Sequence, residues 1–132
     1  MSRNKIVTNV DEYRGTFEYK RKKDGLLGNK NLPLVIEYVK QAKERNMLVA
    51  PATKDWIVAF STIMVRGMYL HQKPMRLMEL SEMLKRENVY QLYDNISSAL
   101  FILTQLGLIE AVHFKGWKLT VELMDILAEN GL

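Results

Sequence analysis

Cysteine is absent from this chain of 132 residues. That removes disulfide frameworks, thiolate nucleophiles and cysteine-ligated zinc together. Histidine is nearly absent too: His71 and His113 are the two present, so a histidine-rich metal cage is excluded. With 3 prolines and 7 glycines the composition fits neither a collagen-like nor a low-complexity chain. Long hydrophobic runs are also missing. The longest nearly apolar stretch, Trp56 to Val65, is too short to span a bilayer, and the N-terminus carries no apolar stretch of the signal-peptide kind. No nucleophile stands beside a recognisable base, and there is neither a phosphate-cradling glycine loop nor a paired-carboxylate motif. Gly25-Leu26-Leu27-Gly28 is too plain to read as a nucleotide site. The expectation is a protein that is not an enzyme and needs no cofactor or metal.

What is present is 48% apolar and 26% charged residues, enough to build a real core in a soluble, cytoplasmic protein. The formal net charge is +4, but it is unevenly spread. Residues 1–54 carry a net +6 and residues 55–132 a net −2. A dense cluster stands at Lys20, Arg21, Lys22 and Lys23. Asymmetry of this kind points to a polyanion contact at one end of the molecule, or to a solvated loop. The chain divides accordingly into a basic N-terminal arm and helix (1–54) and a second domain (55–132).

Along the first part, Lys5–Val10 and Thr16–Lys20 read as short strands, the latter because Phe17 and Tyr19 alternate with polar neighbours. They would form an arm or hairpin that leans on the body, or a mobile tail. Asn31–Asn46 reads as a helix, with Asn31 as its cap and Pro33 in the first turn. Its apolar face is Leu34, Val35, Tyr38, Val39 and Ala42. Thr53 caps a second helix that runs from Trp56 to about Leu70 and is apolar nearly all round, so it should be the central one. His71, Gln72, Lys73 and Pro74 end it, with His71 capping its carbonyls. The eight methionines fall mostly on helix faces and read as core filler.

Met75–Glu79 reads as a short strand and Leu80–Arg86 as a short helix with Leu80, Met83 and Leu84 inward. Glu87–Tyr90 is a turn. A longer helix then reaches about Leu106, with Leu92, Ile96, Ala99, Leu100, Leu103 and Leu106 in one stripe. Gly107 ends it in the left-handed conformation. Leu108–Phe114 is a strand that contains His113, Lys115-Gly116 a two-residue turn, and Trp117–Thr120 the returning strand. Thr120 caps a last helix, Val121–Glu129, closed by Gly131, with Leu123, Ile126 and Leu127 inward. The fold class is therefore mainly α with a small β-hairpin.

This order, with "LSEML" at Leu80–Leu84, "NISSALFILTQLGLIEAV" at Asn95–Val112 and "WKLT" at Trp117–Thr120, resembles a winged helix-turn-helix domain over residues 55–129. "LGLIE" at Leu106–Glu110 is its most specific piece. The last part resembles dimeric regulators of the multiple-antibiotic-resistance and PadR kinds. The resemblance implies that the third helix of the motif enters the DNA major groove by its N-terminal half, while the hairpin wing touches phosphate or the minor groove. Carried onto this chain, the reading positions are Gln91, Tyr93, Asn95, Ser97 and Ser98, beside Asp94 and with Tyr90 as a further hydroxyl. Lys85 and Arg86 would contact the backbone from the second helix, and Lys115 and Lys118 from the wing. Between Asn88 and Lys115 there is no lysine or arginine. Phosphate attraction dominates affinity, so a neutral reading helix must borrow its charge, and Lys20, Arg21, Lys22 and Lys23 are the obvious source.

Phe101 and Ile102 point away from the buried stripe. They are read first as covered by the Asn31–Asn46 helix, and otherwise as a homodimer contact; the Asn31–Asn46 helix or the last helix could also form the dimer. The functional expectation is a dimeric transcriptional regulator that binds double-stranded DNA in the cytoplasm, with no membrane and no metal partner. Two alternatives stand beside it. One is a plasmid, phage or viral replication or partition protein. The other is a winged-helix protein-interaction module without DNA binding.

Overall fold

The computed structural model describes residues 9–45, 56–86 and 93–132. Along the described residues the order is α1 (Val10–Arg14), α2 (Phe17–Leu27), α3 (Leu32–Arg45), α4 (Trp56–His71), α5 (Leu77–Arg86), α6 (Tyr93–Gln105), β1 (Ile109–Val112), β2 (Gly116–Leu119) and α7 (Val121–Glu129). The architecture is mainly helical with one small antiparallel sheet. Among the described residues no helix is long and apolar enough to cross a membrane.

The first part departs from expectation. Thr16–Lys20 is not a strand, and Val10 opens a helix; the rest of the strand expected at Lys5–Val10 lies outside the described residues, apart from Asn9. Local chemistry explains the helices. Asn9 caps α1 by accepting the Asp11 N–H at 2.8 Å. Thr16 caps α2 by accepting the Tyr19 N–H at 3.1 Å. Glu18–Lys22 and Lys20–Asp24 then stand four residues apart, where helical side chains meet. The alternation of Phe17 with Tyr19 does not mark one face: Tyr19 is buried whereas Phe17 is 79% exposed.

In α3 the Asn31 carbonyl accepts the Val35 N–H, the backbone position of a cap, and Pro33 lies in the first turn. Its buried face is Leu32, Val35 and Val39, and Leu34 stands at its exposed edge. α3 packs along α4. Ile63, Met64 and Val65 of α4 are fully buried, as a central helix requires, and Arg66 is buried with them. The cap expected at Thr53 lies outside the described residues. α4 ends with Gln72 at φ +60°. His71 faces the Glu79 carboxylate at 3.8 Å and makes no bond to the helix carbonyls it was expected to cap.

The strand expected at Met75–Glu79 shrinks to one residue. Met75 pairs with Trp117, its N–H donating to the Trp117 carbonyl at 2.8 Å and its carbonyl accepting at 2.9 Å. α5 begins at Leu77, because the Glu79 carboxylate accepts the Arg76 N–H at 2.9 Å and so caps it. Leu80, Met83 and Leu84 are buried as expected. In α6 the stripe Ile96, Ala99, Leu100 and Leu103 is buried, whereas Leu106 lies beyond the helix and is exposed. Gly107 turns the chain at φ +83°. Leu92 and the turn at Glu87–Tyr90 lie outside the described residues.

β1 and β2 pair from Ile109 with Leu119 to Val112 with Gly116. The connecting turn is therefore His113, Phe114 and Lys115, one residue longer than the Lys115-Gly116 turn expected, and His113 sits in it. Gly116 belongs to β2 and is forced there by packing: φ is +109°, and a Cβ would stand 2.1 Å from the Met75 carbonyl oxygen. Thr120 caps α7 by accepting the Leu123 N–H at 3.3 Å, and its hydroxyl donates to the Gly107 carbonyl at 2.7 Å. Leu123, Ile126 and Leu127 are buried, and Gly131 follows at φ +84°. One apolar cluster joins Leu26, Leu32, Val35 and Val39 to the stripes of α4, α5, α6 and α7.

Candidate nucleic-acid interface

α6 buries one face and turns the other to solvent. Ser97 and Ser98 are exposed, directly beside buried Ile96 and Ala99. Tyr93, Asp94 and Asn95 form the first turn of the helix, and Gln91 and Tyr90 lie outside the described residues. Lys85 and Arg86 are exposed in the last turn of α5. Lys115 is exposed in the hairpin turn, and Lys118 is exposed on β2 opposite Glu110.

The hairpin is fastened to the connection between α4 and α5 at two levels. The Met75–Trp117 bond pair holds its second strand. Nearer the tip, the Arg76 guanidinium donates to the Phe114 carbonyl at 3.1 Å. Arg76 did not figure among the residues singled out from the sequence. A single exposed cation beside a helix start carries no local signal of what it touches 38 residues later.

The four cations at 20–23 do not face one way. Consecutive helical residues are about 100° apart, so a run of four covers the whole circumference. Lys20 pairs with Asp24 at 3.3 Å and Lys22 with Glu18 at 3.2 Å, both exposed. Lys23 reaches Glu129 at the end of α7 and lies 5.9 Å above the Tyr19 ring. Arg21 has no ion pair with a described residue. Arg21 and Lys22 line an open cleft of about 780 Å³ together with Lys118 and with Thr104 and Gln105 from the end of α6. From Ser97 to Thr104 is about 10 Å along a helix axis. The flank of α2 that bears Arg21 thus lies at the far end of the helix that carries the exposed serines.

α1 and α2 are held there by carboxylates of α7. Tyr13 donates to Glu122, which is buried. Arg14 donates through Nε and Nη2 to Asp125 at 2.8 and 2.9 Å, and the Tyr19 hydroxyl donates to the same carboxylate at 2.6 Å. The Arg14 guanidinium holds Asp125 below the usual carboxylate value. Burial, then the bond to Glu122, pushes the Tyr13 phenol up; burial, then Asp125, does the same for Tyr19. The hydrogen bond to Glu129 raises Lys23.

Several large apolar side chains are exposed. Phe101 on α6 is 65% exposed, which overturns the expectation that α3 covers it. Phe114 at the hairpin tip is 84% exposed. Among the described residues no group of three or more His, Asp or Glu could hold a metal ion. Comparison of the chain with protein-family models, with curated proteins and with solved structures finds no match.

Proposed function

We propose that this chain is a winged helix-turn-helix protein of the cytoplasm that binds double-stranded DNA as a homodimer and regulates transcription. The observation that carries the reading is the bond pair between Met75 and Trp117. It sets a residue from between α4 and α5 against β2, which supports a reading in the order helix, strand residue, helix, helix, hairpin. Within that frame α6 is the reading helix. Its solvent face carries Ser97 and Ser98, whose hydroxyls suit base edges or phosphate oxygens, and Tyr93 and Asn95 stand in its first turn. Lys85, Arg86, Lys115, Lys118 and Arg21 supply the charge that this face lacks. Of the front cluster, Lys20, Lys22 and Lys23 first answer carboxylates of the chain itself, so they contribute less. Exposed Phe101 supports a two-fold contact between chains.

The test is a fluorescence anisotropy titration with labelled mixed-sequence duplex at about 50 and about 200 mM salt. Binding that weakens steeply with salt is expected, and Lys115→Ala should lower the slope of log affinity against log salt by about one. No binding at low salt would end the reading.

A specific observation favours a second reading, a protein-interaction module. α6 has no cation along its length and displays Phe101 instead. In that case Lys115→Ala would leave activity intact and the duplex would not bind.

A further inference from the structure

The tip of the hairpin combines two features that folding alone disfavours. Among the described residues Phe114 is the most exposed of the large apolar side chains. It also stands at φ +62°, in the left-handed region, where a bulky side chain is strained and glycine or asparagine would be at ease. A residue held in such a conformation while most of its side chain lies in solvent points to a role outside the fold.

The rest of the tip is built to hold that ring out. The Lys115 N–H closes the turn on the Val112 carbonyl at 2.9 Å. Arg76 grips the Phe114 carbonyl, and Gly116 lies against the Met75 backbone with no room for a side chain. The His113 ring packs on the Phe114 ring, centroids 3.9 Å apart and planes tilted by 45°. The two rings form a short aromatic ledge on a turn fastened from both sides.

The charge around the ledge is positive. Lys115 is adjacent and exposed, and Arg76, also exposed, uses one of its five guanidinium N–H donors on Phe114. Glu79, in the first turn of α5, already accepts the Arg76 N–H and faces His71. An apolar ring rimmed by cations matches a nucleobase flanked by phosphates.

We propose that Phe114, backed by His113, is a base-stacking wedge: it enters between adjacent base pairs of bound duplex DNA, or onto an unstacked base, while Arg76 and Lys115 hold the neighbouring phosphates. Wedges of this kind unstack a step and bend the duplex, most easily at pyrimidine–purine steps. The inference rests on the DNA-binding reading and adds a preference for deformable steps that the serine face of α6 would not supply.

The experiment uses the full chain and an alternating TA duplex with 2-aminopurine in place of some adenines. Stacking quenches that base, so insertion of Phe114 should raise its fluorescence on binding. Phe114→Gly should abolish the rise and weaken binding by about tenfold. Its melting temperature should be unchanged or higher, because glycine relieves the positive φ. Lys115→Ala should weaken binding yet keep the rise. If the chain binds duplex with salt-dependent affinity but the fluorescence is flat and Phe114→Gly binds as tightly, the wedge is wrong and the DNA reading stands. If neither duplex nor mixed DNA binds, both fall. A Phe114→Gly chain that melts well below the parent would assign Phe114 to the fold and overturn the wedge. So would loss of binding to anionic vesicles with DNA binding unchanged, which would assign the tip to a membrane surface.

Discussion

Two glycines separate backbone contact from side-chain contact. At Gly116 an added Cβ would meet the Met75 carbonyl oxygen at 2.1 Å, and φ is +109°. Neither can relax without moving the hairpin off the α4–α5 connection. At Gly67 an added Cβ would meet Met83 Sδ at 1.9 Å and its Cε methyl at 2.8 Å, but these are the far end of a flexible side chain. Gly116→Ala should therefore cost about 3 kcal/mol and Gly67→Ala about 1 kcal/mol in urea unfolding. The reverse order would mean that the hairpin is not pinned through Met75. The role of Gly116 was not legible in the sequence. Lys-Gly reads locally as a turn, whereas the constraint comes from backbone more than forty positions earlier. Gly107, which needs only its own helix end for its role, was read correctly, and its φ is +83°.

At the scale of elements, α1 and α2 are a clamp fastened by ionisable groups. Asp125 has a folded-state pKa below its ordinary value, so its contribution is complete above the ordinary carboxylate range and is lost as pH falls through the depressed value. Tyr13 and Tyr19 are raised, so theirs is complete below the ordinary tyrosine value and is lost as pH rises through the folded ones. In an ultraviolet titration Tyr13 and Tyr19 should thus ionise above the ordinary tyrosine value. Asp125→Asn weakens the bonds from Arg14 and Tyr19 and, after allowance for solvent screening, should cost about 1 kcal/mol. Hydrogen exchange should show the loss confined to α1 and α2; uniform acceleration would show that they are not a separate clamp. These helices were missed because α2 has only Tyr19 and Leu26 buried among charged neighbours, which leaves almost no apolar period to read. α5 and α7, with stripes at three- and four-residue steps, were legible.

On the scale of the whole molecule, the helices from α3 onward follow their own local pattern, and α1 and α2 answer to partners far away in sequence. The bonds that seat α1 and α2 span 106 to 111 residues, beyond any local window. The excess of positive charge in the first part was plain, but its division was not: carboxylates of α7 engage Arg14 and Lys23, and Arg21 lines the same open cleft as Lys118. The candidate site was legible as residue types, and Ser97, Ser98, Lys85, Arg86 and Lys115 are all exposed. Arg76 and the geometry at Phe114 required the fold. The most direct measurement is an amide NMR map of the labelled chain titrated with duplex DNA. Shifts should concentrate at Ser97, Ser98, the turn from His113 to Lys115, Arg76 and the end of α5. Shifts confined to α3 and the end of α7, or none at low salt, would contradict the proposed interface.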